Sequence, residues 1–158
     1  MNITYRKKFH KLTNDFLKIR WYHEVGGDIV GFSKEDEKLM IEIEKIIELH
    51  QGGEVYTEVN AFGNIIISSM PYGLGTMYLY LRKFQNEIVL SVINLVKYNT
   101  GTATKIIQEL IKIVQEIEEL DTIVIENAFN PALKHIAIDK FGFKEHMFFK
   151  ETYILKID

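Results

Sequence analysis

The stretch from Glu87 to Ala103, EIVLSVINLVKYNTGTA, limits the possible folds of this chain more than any other. Its first part, Ile88 to Ile93, is an apolar run of β-forming residues, which is typical of a buried strand. A short polar turn with Gly101 follows, and an amphipathic helical pattern begins near Thr102. The first backbone N–H groups of a helix have no internal partners, and the helix dipole favours negative charge beside them. The stretch therefore predicts an anion site that suits a phosphate-bearing ligand.

The residues after this stretch predict a strand–helix–strand unit. Apolar residues recur at helical spacing over about residues 102 to 120, at Ile106, Ile107, Leu110, Ile111, Val114 and Ile117. The short apolar run Thr122 to Ile125 then follows. A fully apolar strand entered from a helix is typical of a buried strand parallel to an earlier one. Residues Ile88 to Ile125 thus predict a βαβ unit.

The residues before Glu87 predict an antiparallel meander. Their apolar period is two, and turn residues separate the runs Val55–Val59, Ile65–Ile67, Met77–Leu81 and Glu87–Leu95. In the third run, alternation places Met77, Leu79 and Leu81 towards the core, with Tyr78, Tyr80 and Arg82 on the opposite face.

The remaining segments complete an α/β order. Residues 2 to 6 predict a short strand, residues 8 to 21 a first helix, and residues 34 to 51 a second helix that a Ser33–Asp36 pair caps. Asn130 and Pro131 start a later helix that Gly142 ends, and Phe143 to Ile157 predicts two strands around Lys150–Glu151. The order predicts an α/β fold with a mixed sheet, in a single domain over residues 1–158.

Composition excludes several classes of site. The chain has 158 residues and no cysteine, so it has no disulfide, thiolate metal site or cysteine nucleophile, and we expect no metal. No apolar run approaches the roughly 20 residues of a membrane span, which predicts a soluble, cytoplasmic protein without a membrane partner. A net charge of −3 gives no general electrostatic case for nucleic acid. We expect a monomer or a homodimer.

The element order and the turn after the central strand resemble the GNAT superfamily of acyl-coenzyme A dependent N-acetyltransferases. That family carries a Q/R-x-x-G-x-G/A turn, which falls here on Tyr98 to Ala103. Gly101 and Ala103 fit the pattern, whereas Tyr98 stands where Gln or Arg is usual. The resemblance implies a mostly antiparallel sheet with a βαβ acyl-CoA-binding unit and helices on both faces.

A second family feature is a helix that follows an Asn and ends in K-x-G-F. Asn130, Lys140, Gly142 and Phe143 match it, with Asn130 one residue further from the glycine than is common. The motif resemblance covers about Met77 to Ile157, while the first half of the chain resembles the family mainly in element order.

The resemblance implies acetyl-CoA as co-substrate and a primary amine as acceptor, on a small molecule, a lysine or a protein N-terminus. Pyrophosphate would bind the backbone of the turn, and pantetheine would pair with the strand edge at Ile93, Asn94 and Leu95. An N–H there, such as that of Ile93, would polarise the thioester carbonyl. The implied cofactor residues besides that edge are Asn99, Thr100, Gly101, Thr102, Ala103, Thr104 and Asn130.

Three glutamates are candidates for the catalytic base. Glu87 opens the central strand, and its segment resembles the one that carries the catalytic glutamate in the histone acetyltransferase branch of the family. Glu126 comes just after the buried strand, and Glu58 is a third candidate. Each could take the amine proton if desolvation raised the pKa of its carboxyl towards neutrality.

The general acid is less clearly marked. Many family members have a tyrosine before the K-x-G-F ending, but here that position falls on Ile138 when counted from Gly142, or on Ala137 when counted from Asn130. Tyr153 or Tyr98 could serve instead, or the thiolate could leave unassisted. The alternative function is a non-catalytic acyl-CoA sensor or protein-interaction module on the same fold.

Overall fold

A seven-stranded mixed sheet organises the computed structural model, which describes residues 31–158. The strand and helix predicted within residues 2 to 21 lie outside the described residues. Neighbouring strands are antiparallel except for β4 and β5, which are parallel. The strands, in sheet order, are β1 (Tyr56–Val59), β2 (Ile65–Ser68), β3 (Tyr78–Phe84), β4 (Glu87–Asn94), β5 (Thr122–Ile125), β7 (Tyr153–Lys156) and β6 (Lys144–Glu145). The α/β fold with a mixed sheet is confirmed.

Three α-helices accompany the sheet in the described residues: α1 (Ile41–Gln51), α2 (Thr102–Glu116) and α3 (Pro131–His135). The predicted helix over 34 to 51 starts instead with 3₁₀ geometry, over Lys34–Met40. The Ser33 N–H donates to the Asp36 carboxylate at 2.6 Å, which caps this turn, and 3₁₀ geometry is frequent at such helix starts.

The end of α2 was predicted too late, at residue 120. The helix stops at Glu116 because Ile117 adopts an extended conformation, with φ −106° and ψ 109°. The chain then turns, and the buried Leu120 precedes β5. The apolar pattern continues through this turn because Leu120 packs in the same core as the helix.

One face of β3 packs into the core, as the alternation predicts. Met77, Leu79 and Leu81 are buried, whereas Tyr78, Tyr80 and Arg82 on the other face keep partial exposure. The core contains side chains of the sheet and of both longer helices, among them Ile43, Ile47, Ile106, Leu110, Leu90 and Ile123.

The parallel strands β4 and β5 separate at their carboxyl ends. Their ladder runs from Glu87↔Thr122 to Leu90↔Ile125, while β4 stays paired with β3 as far as Asn94. At this point β4 contains a bulge, since Leu81 opposes Leu90 and Tyr80 opposes Val92, which leaves Ser91 as the extra residue. Beyond Leu90, the edge of β4 is therefore not paired with β5.

The segment after α3 accommodates the one additional residue that separates Asn130 from Gly142 relative to the spacing common in the family. α3 continues as a π-helical turn over Ile136–Lys140, and Gly142 ends it with φ +72°. A π turn in a helix accommodates a single inserted residue, which accounts for the longer spacing between Asn130 and Gly142. The predicted pair of tail strands is present, although β6 has only two residues and the connection to β7 is longer than a tight turn.

Candidate functional site

A cleft of about 210 Å³ opens where β4 and β5 separate. Its walls come from the end of β4, the turn that follows, the start of α2 and the start of α3. The lining residues are Ile93, Asn94, Leu95, Lys97, Tyr98, Asn99, Thr100, Gly101, Thr102, Ala103, Asn130, Ala132, Leu133 and Ile136. All the residues that the family resemblance implied for the cofactor line this cleft except Thr104, which follows in the first turn of α2.

The β4 wall offers unpaired backbone groups. In an antiparallel ladder, successive residues turn their N–H and C=O groups alternately to the two neighbouring strands. The Leu90 carbonyl faces β5, because it accepts the Glu126 N–H at 3.0 Å. The bulge at Ser91 changes this alternation, so that the register turns the Ile93 N–H and C=O groups to the cleft.

The turn before α2 forms one end of the cleft. Asn99 and Gly101 both lie in the left-handed region, with φ +58° and +76°, and Gly101 is the N-cap of α2. Left-handed residues beside a helix start orient successive N–H groups into one concavity. The first turn of α2 carries no acidic side chain, and Lys97 lines the cleft. This end of the cleft therefore combines the N–H groups at the start of α2, which have no partner within the helix, with the positive charge of Lys97.

Two polar side chains fix neighbouring parts of the wall. The Asn94 amide donates to the Thr76 carbonyl at 2.7 Å, which joins the end of β4 to the start of β3. The Asn130 side chain accepts from the Ala132 N–H at 2.9 Å, and this confirms the predicted N-cap of α3. Gln51, at the end of α1, reaches the turn itself.

A buried polar cluster lies at the opening between β4 and β5. Glu126 follows β5 directly, is 5% exposed and forms an ion pair with Arg82 of β3. The Arg82 Nε donates to Ser91 Oγ at 2.7 Å. Arg82 thus joins β3, the β4 bulge and the residue after β5.

No protein-family model matches the chain, and no curated protein matches it. Solved structures do. The GNAT-family acetyltransferase from Bacillus anthracis is 15% identical, covers 79% of this chain and 91% of its own, and gives a TM-score of 0.43. The PaiA N-acetyltransferase from Thermoplasma acidophilum, in complex with coenzyme A, is 13% identical, with 81% and 96% covered and a TM-score of 0.41. The ribosomal-protein-S18-alanine N-acetyltransferase from Escherichia coli is 15% identical, with 80% and 90% covered and a TM-score of 0.42.

The described residues contain the βαβ unit that the sequence predicts. The parallel β4–β5 pair, the separation beyond Leu90 and the helix that starts at Gly101 reproduce the βαβ unit that the sequence resemblance implied.

The sheet holds Glu87 away from the cleft. Glu87 is the first residue of β4 and pairs with Phe84 across the β3–β4 hairpin. It lies six residues before Ile93, or about 20 Å along an extended strand. Glu58 lies on β1, three strands from β4 or about 14 Å away in the sheet. The structure does not bring these two candidate bases to the cleft. Glu126 does not line the cleft either, but its N–H donates to the carbonyl of Leu90, the last β4 residue that pairs with β5.

Tyr153, the candidate acid, is fully buried on β7 opposite Ile125. Its hydroxyl donates to the Glu151 carboxylate at 3.3 Å. Lys134 lies over its ring, and hydrogen bonding to Tyr153 followed by the charge of Glu151 raises the pKa of Lys134. Tyr153 does not line the cleft, whereas Tyr98 does and is 73% exposed.

Many GNAT proteins have a proton-donating tyrosine at the position that falls here on Ala137 or Ile138, and neither of these side chains can donate a proton. Ala137 is fully buried in the core, and Ile138 is half-buried and packs against the core.

Within residues 31–158, no cluster of three or more potential metal ligands occurs, and no helix is long and apolar enough to cross a bilayer.

Sequence reasoning missed Gln51, Lys97, Arg82 and Ser91. The signal for Ser91 was a hydroxyl inside an otherwise apolar run, and that for Arg82 was a charge at the end of a strand whose other face is core. Gln51 gave no local signal, because its partners lie 46 or more residues further along the chain.

Proposed function

We propose that this GNAT-like protein transfers an acetyl group from acetyl-CoA to a primary amine. The observation that carries the proposal is the joint placement, in one cleft, of an open β4 edge and a left-handed turn at the start of α2. A ligand with an extended arm that ends in phosphates can pair its arm with the strand edge and place its phosphates at the turn. Acetyl-CoA is such a molecule.

The cofactor would bind along the cleft in three parts. The pyrophosphate accepts from the N–H groups of Asn99 to Thr104, and Lys97 supplies positive charge. Pantetheine pairs with Ile93 to Leu95, and the Ile93 N–H donates to the thioester carbonyl. The cleft is smaller than the roughly 300 Å³ at which pockets for whole ligands begin, so the nucleoside extends outside it.

The acceptor amine would attack the thioester from the side of Glu126. The neutral amine nitrogen bonds to the carbonyl carbon and gives up one proton to water, the C–S bond breaks, and the thiolate takes a proton from water. The Glu126 carboxylate already accepts from Arg82, and it is better suited to holding a cationic amine than to removing its proton. The acceptor therefore reaches the site as an ammonium ion and loses its proton to solvent.

A non-catalytic acyl-CoA sensor is the second candidate. Ala137 and Ile138 offer no proton donor where many GNAT proteins have one, and the Tyr153 side chain is fully buried. The same cleft would bind acyl-CoA without turnover. The two functions share a ligand and differ in chemistry.

Binding is tested by thermal unfolding with coenzyme A. A ligand at about 100 times its dissociation constant stabilises the native state by roughly 2.7 kcal/mol, and we expect a rise in Tm with millimolar coenzyme A. Adenosine, which lacks the phosphates and pantetheine, is the control and should give a smaller rise. An unchanged Tm with coenzyme A would contradict both functions.

Catalysis is tested by thiol release from acetyl-CoA over a panel of amines. The panel contains small polyamines, lysine peptides and peptides with free N-termini. Turnover with one class identifies the acceptor. If coenzyme A binds but no amine gives thiol above the rate without protein, the sensor is favoured.

A further inference from the structure

Gln51 is the last residue of α1, and its side chain is buried against the turn that precedes α2, with 6% of the residue exposed. Its Nε2 carries two protons and lies 3.0 Å from the Lys97 carbonyl, 3.0 Å from Thr102 Oγ1 and 3.2 Å from Thr100 Oγ1, so the two hydroxyls share one of its hydrogen bonds. Its Oε1 accepts the Lys97 N–H at 2.8 Å. One amide thus bonds both backbone groups of Lys97 and two hydroxyls that line the cleft.

The backbone of Lys97 fixes the orientation of this amide. An N–H group only donates and a carbonyl only accepts, so Oε1 must face the Lys97 N–H and Nε2 must face the Lys97 carbonyl. A carboxylate at position 51 would place an acceptor against that carbonyl. Glutamine therefore meets a requirement here that glutamate, although of the same shape, does not.

The two threonine hydroxyls extend this network into the cleft. Thr100 Oγ1 and Thr102 Oγ1 lie 2.6 Å apart, so one donates to the other. Thr102 is 1% exposed, whereas Thr100 is half-buried. When the buried Thr102 hydroxyl donates to Thr100, the Thr100 proton is left for an acceptor in the cleft, since its contact with the Lys97 carbonyl is long, at 3.5 Å.

We infer that Gln51 is a positioning residue for anion binding: it holds the Lys97–Thr102 turn in the shape that directs its N–H groups and the Thr100 hydroxyl at a phosphate. Gln51 does not line the cleft and acts through the turn. The inference rests on the proposed function for the identity of the ligand, coenzyme A. A turn formed before binding lowers the entropy lost when the phosphate is bound.

The test compares coenzyme A binding by wild type, Gln51→Glu and Gln51→Met using calorimetry. Both variants keep an unbranched side chain of similar length and lose the donor to Lys97, so we expect the dissociation constant to rise at least tenfold. Ile47→Val is the matched control, because Ile47 is buried in the same helix, about one turn before Gln51, and carries no polar group. It should lower Tm and leave the dissociation constant within twofold.

Gln51→Glu also gives a pH signature that lost packing would not. Burial disfavours the charged form and raises the pKa of a carboxyl at this position, and the protonated carboxyl can donate to the Lys97 carbonyl. The ratio of the dissociation constant of Gln51→Glu to that of wild type should therefore fall as pH drops from about 8 to about 5. The same ratio for Gln51→Met should stay constant, since methionine has no titrating proton. A parallel pH dependence in both variants would overturn the inference.

Amide hydrogen exchange without ligand separates the inference from the proposed function. In Gln51→Met the Lys97 N–H loses its acceptor, so its exchange should be faster than in wild type, while Ile47→Val leaves it unchanged. If the Lys97 N–H exchanges faster in Gln51→Met but the wild type does not bind coenzyme A, the positioning role is retained and the proposed function is rejected. Binding within twofold of wild type in both Gln51 variants would overturn the inference and leave the proposed function intact.

Discussion

Arg82, Ser91 and Glu126 show how a few side chains define the chemistry at the opening between β4 and β5. Arg82 contacts the other two from β3, and the Glu126 side chain is almost entirely buried. A buried carboxylate that loses its partner is an uncompensated charge, and such losses cost about 3–5 kcal/mol. The cluster therefore contributes to the stability of the opening as well as to its charge.

Replacing Glu126 with Gln should reduce acetyl transfer while coenzyme A binding remains. The neutral amide no longer attracts an ammonium ion, so we expect kcat/KM to fall by about tenfold or more, equivalent to about 1.4 kcal/mol. Steady-state kinetics with a fixed amine measure this change. Glu87→Gln removes the same charge at the opposite end of β4 and is the control. An equal loss in both variants would contradict the role of Glu126.

The pH dependence of kcat/KM should follow the pKa of the acceptor amine. If the amine loses its proton to solvent, kcat/KM rises with pH until the amine itself is deprotonated. The plateau then lies near 8 for an N-terminal amine and above 10 for lysine. A plateau near pH 6 or 7, independent of the amine, would show that a group of the protein removes the proton.

Among the elements that line the cleft, the turn at Gly101 is the one whose backbone conformation favours glycine. Its φ of +76° is unfavourable for a residue with a Cβ atom, although an added Cβ would meet no atom within 4 Å. We expect Gly101→Val to lower stability by about 1–2 kcal/mol through this strain. Coenzyme A affinity should fall at least tenfold, because the turn changes shape or the valine obstructs the phosphate.

Gly142→Val is the matched control for this turn. Gly142 has a φ of +72° and equally open surroundings, but it ends the segment after α3 and does not line the cleft. Unfolding by denaturant and calorimetric titration should give similar losses of stability in the two variants, with loss of affinity only in Gly101→Val. Retained affinity in Gly101→Val would place the phosphate elsewhere.

The same elements show what the sequence could predict. The βαβ unit was predictable because α2 repeats its apolar residues at helical spacing over several turns and its two strands are continuous apolar runs. The bulge at Ser91 and the π turn at Ile136–Lys140 were not, since each inserts one residue without a composition of its own. The contacts of Gln51 and of Arg82 with Glu126 join distant parts of the chain, and no local pattern encodes them.

At the scale of the whole molecule, the parallel pair β4–β5 gives the described part of the sheet a place where neighbouring strands diverge. Ligands of α/β sheets bind beyond the carboxyl ends of parallel strands, where the chain diverges, and the cleft lies there. A larger cleft of about 610 Å³ lies beside β6 and β7. Its lining residues, from Gly142 to Phe148 and on β7, contain no helix start to bind phosphate. The single domain over 1–158, the monomer or homodimer and the cytoplasmic location stay predictions.

The most direct test of the cleft as the acyl-CoA site is amide hydrogen exchange of wild type with and without saturating coenzyme A. Slower exchange should be confined to two segments, Ile93 to Leu95 and Asn99 to Thr104, because these segments contact the bound ligand. Lys144 to Phe148, beside the larger cleft, should exchange at an unchanged rate. Protection of Lys144 to Phe148 without protection of the two cleft segments would contradict the account.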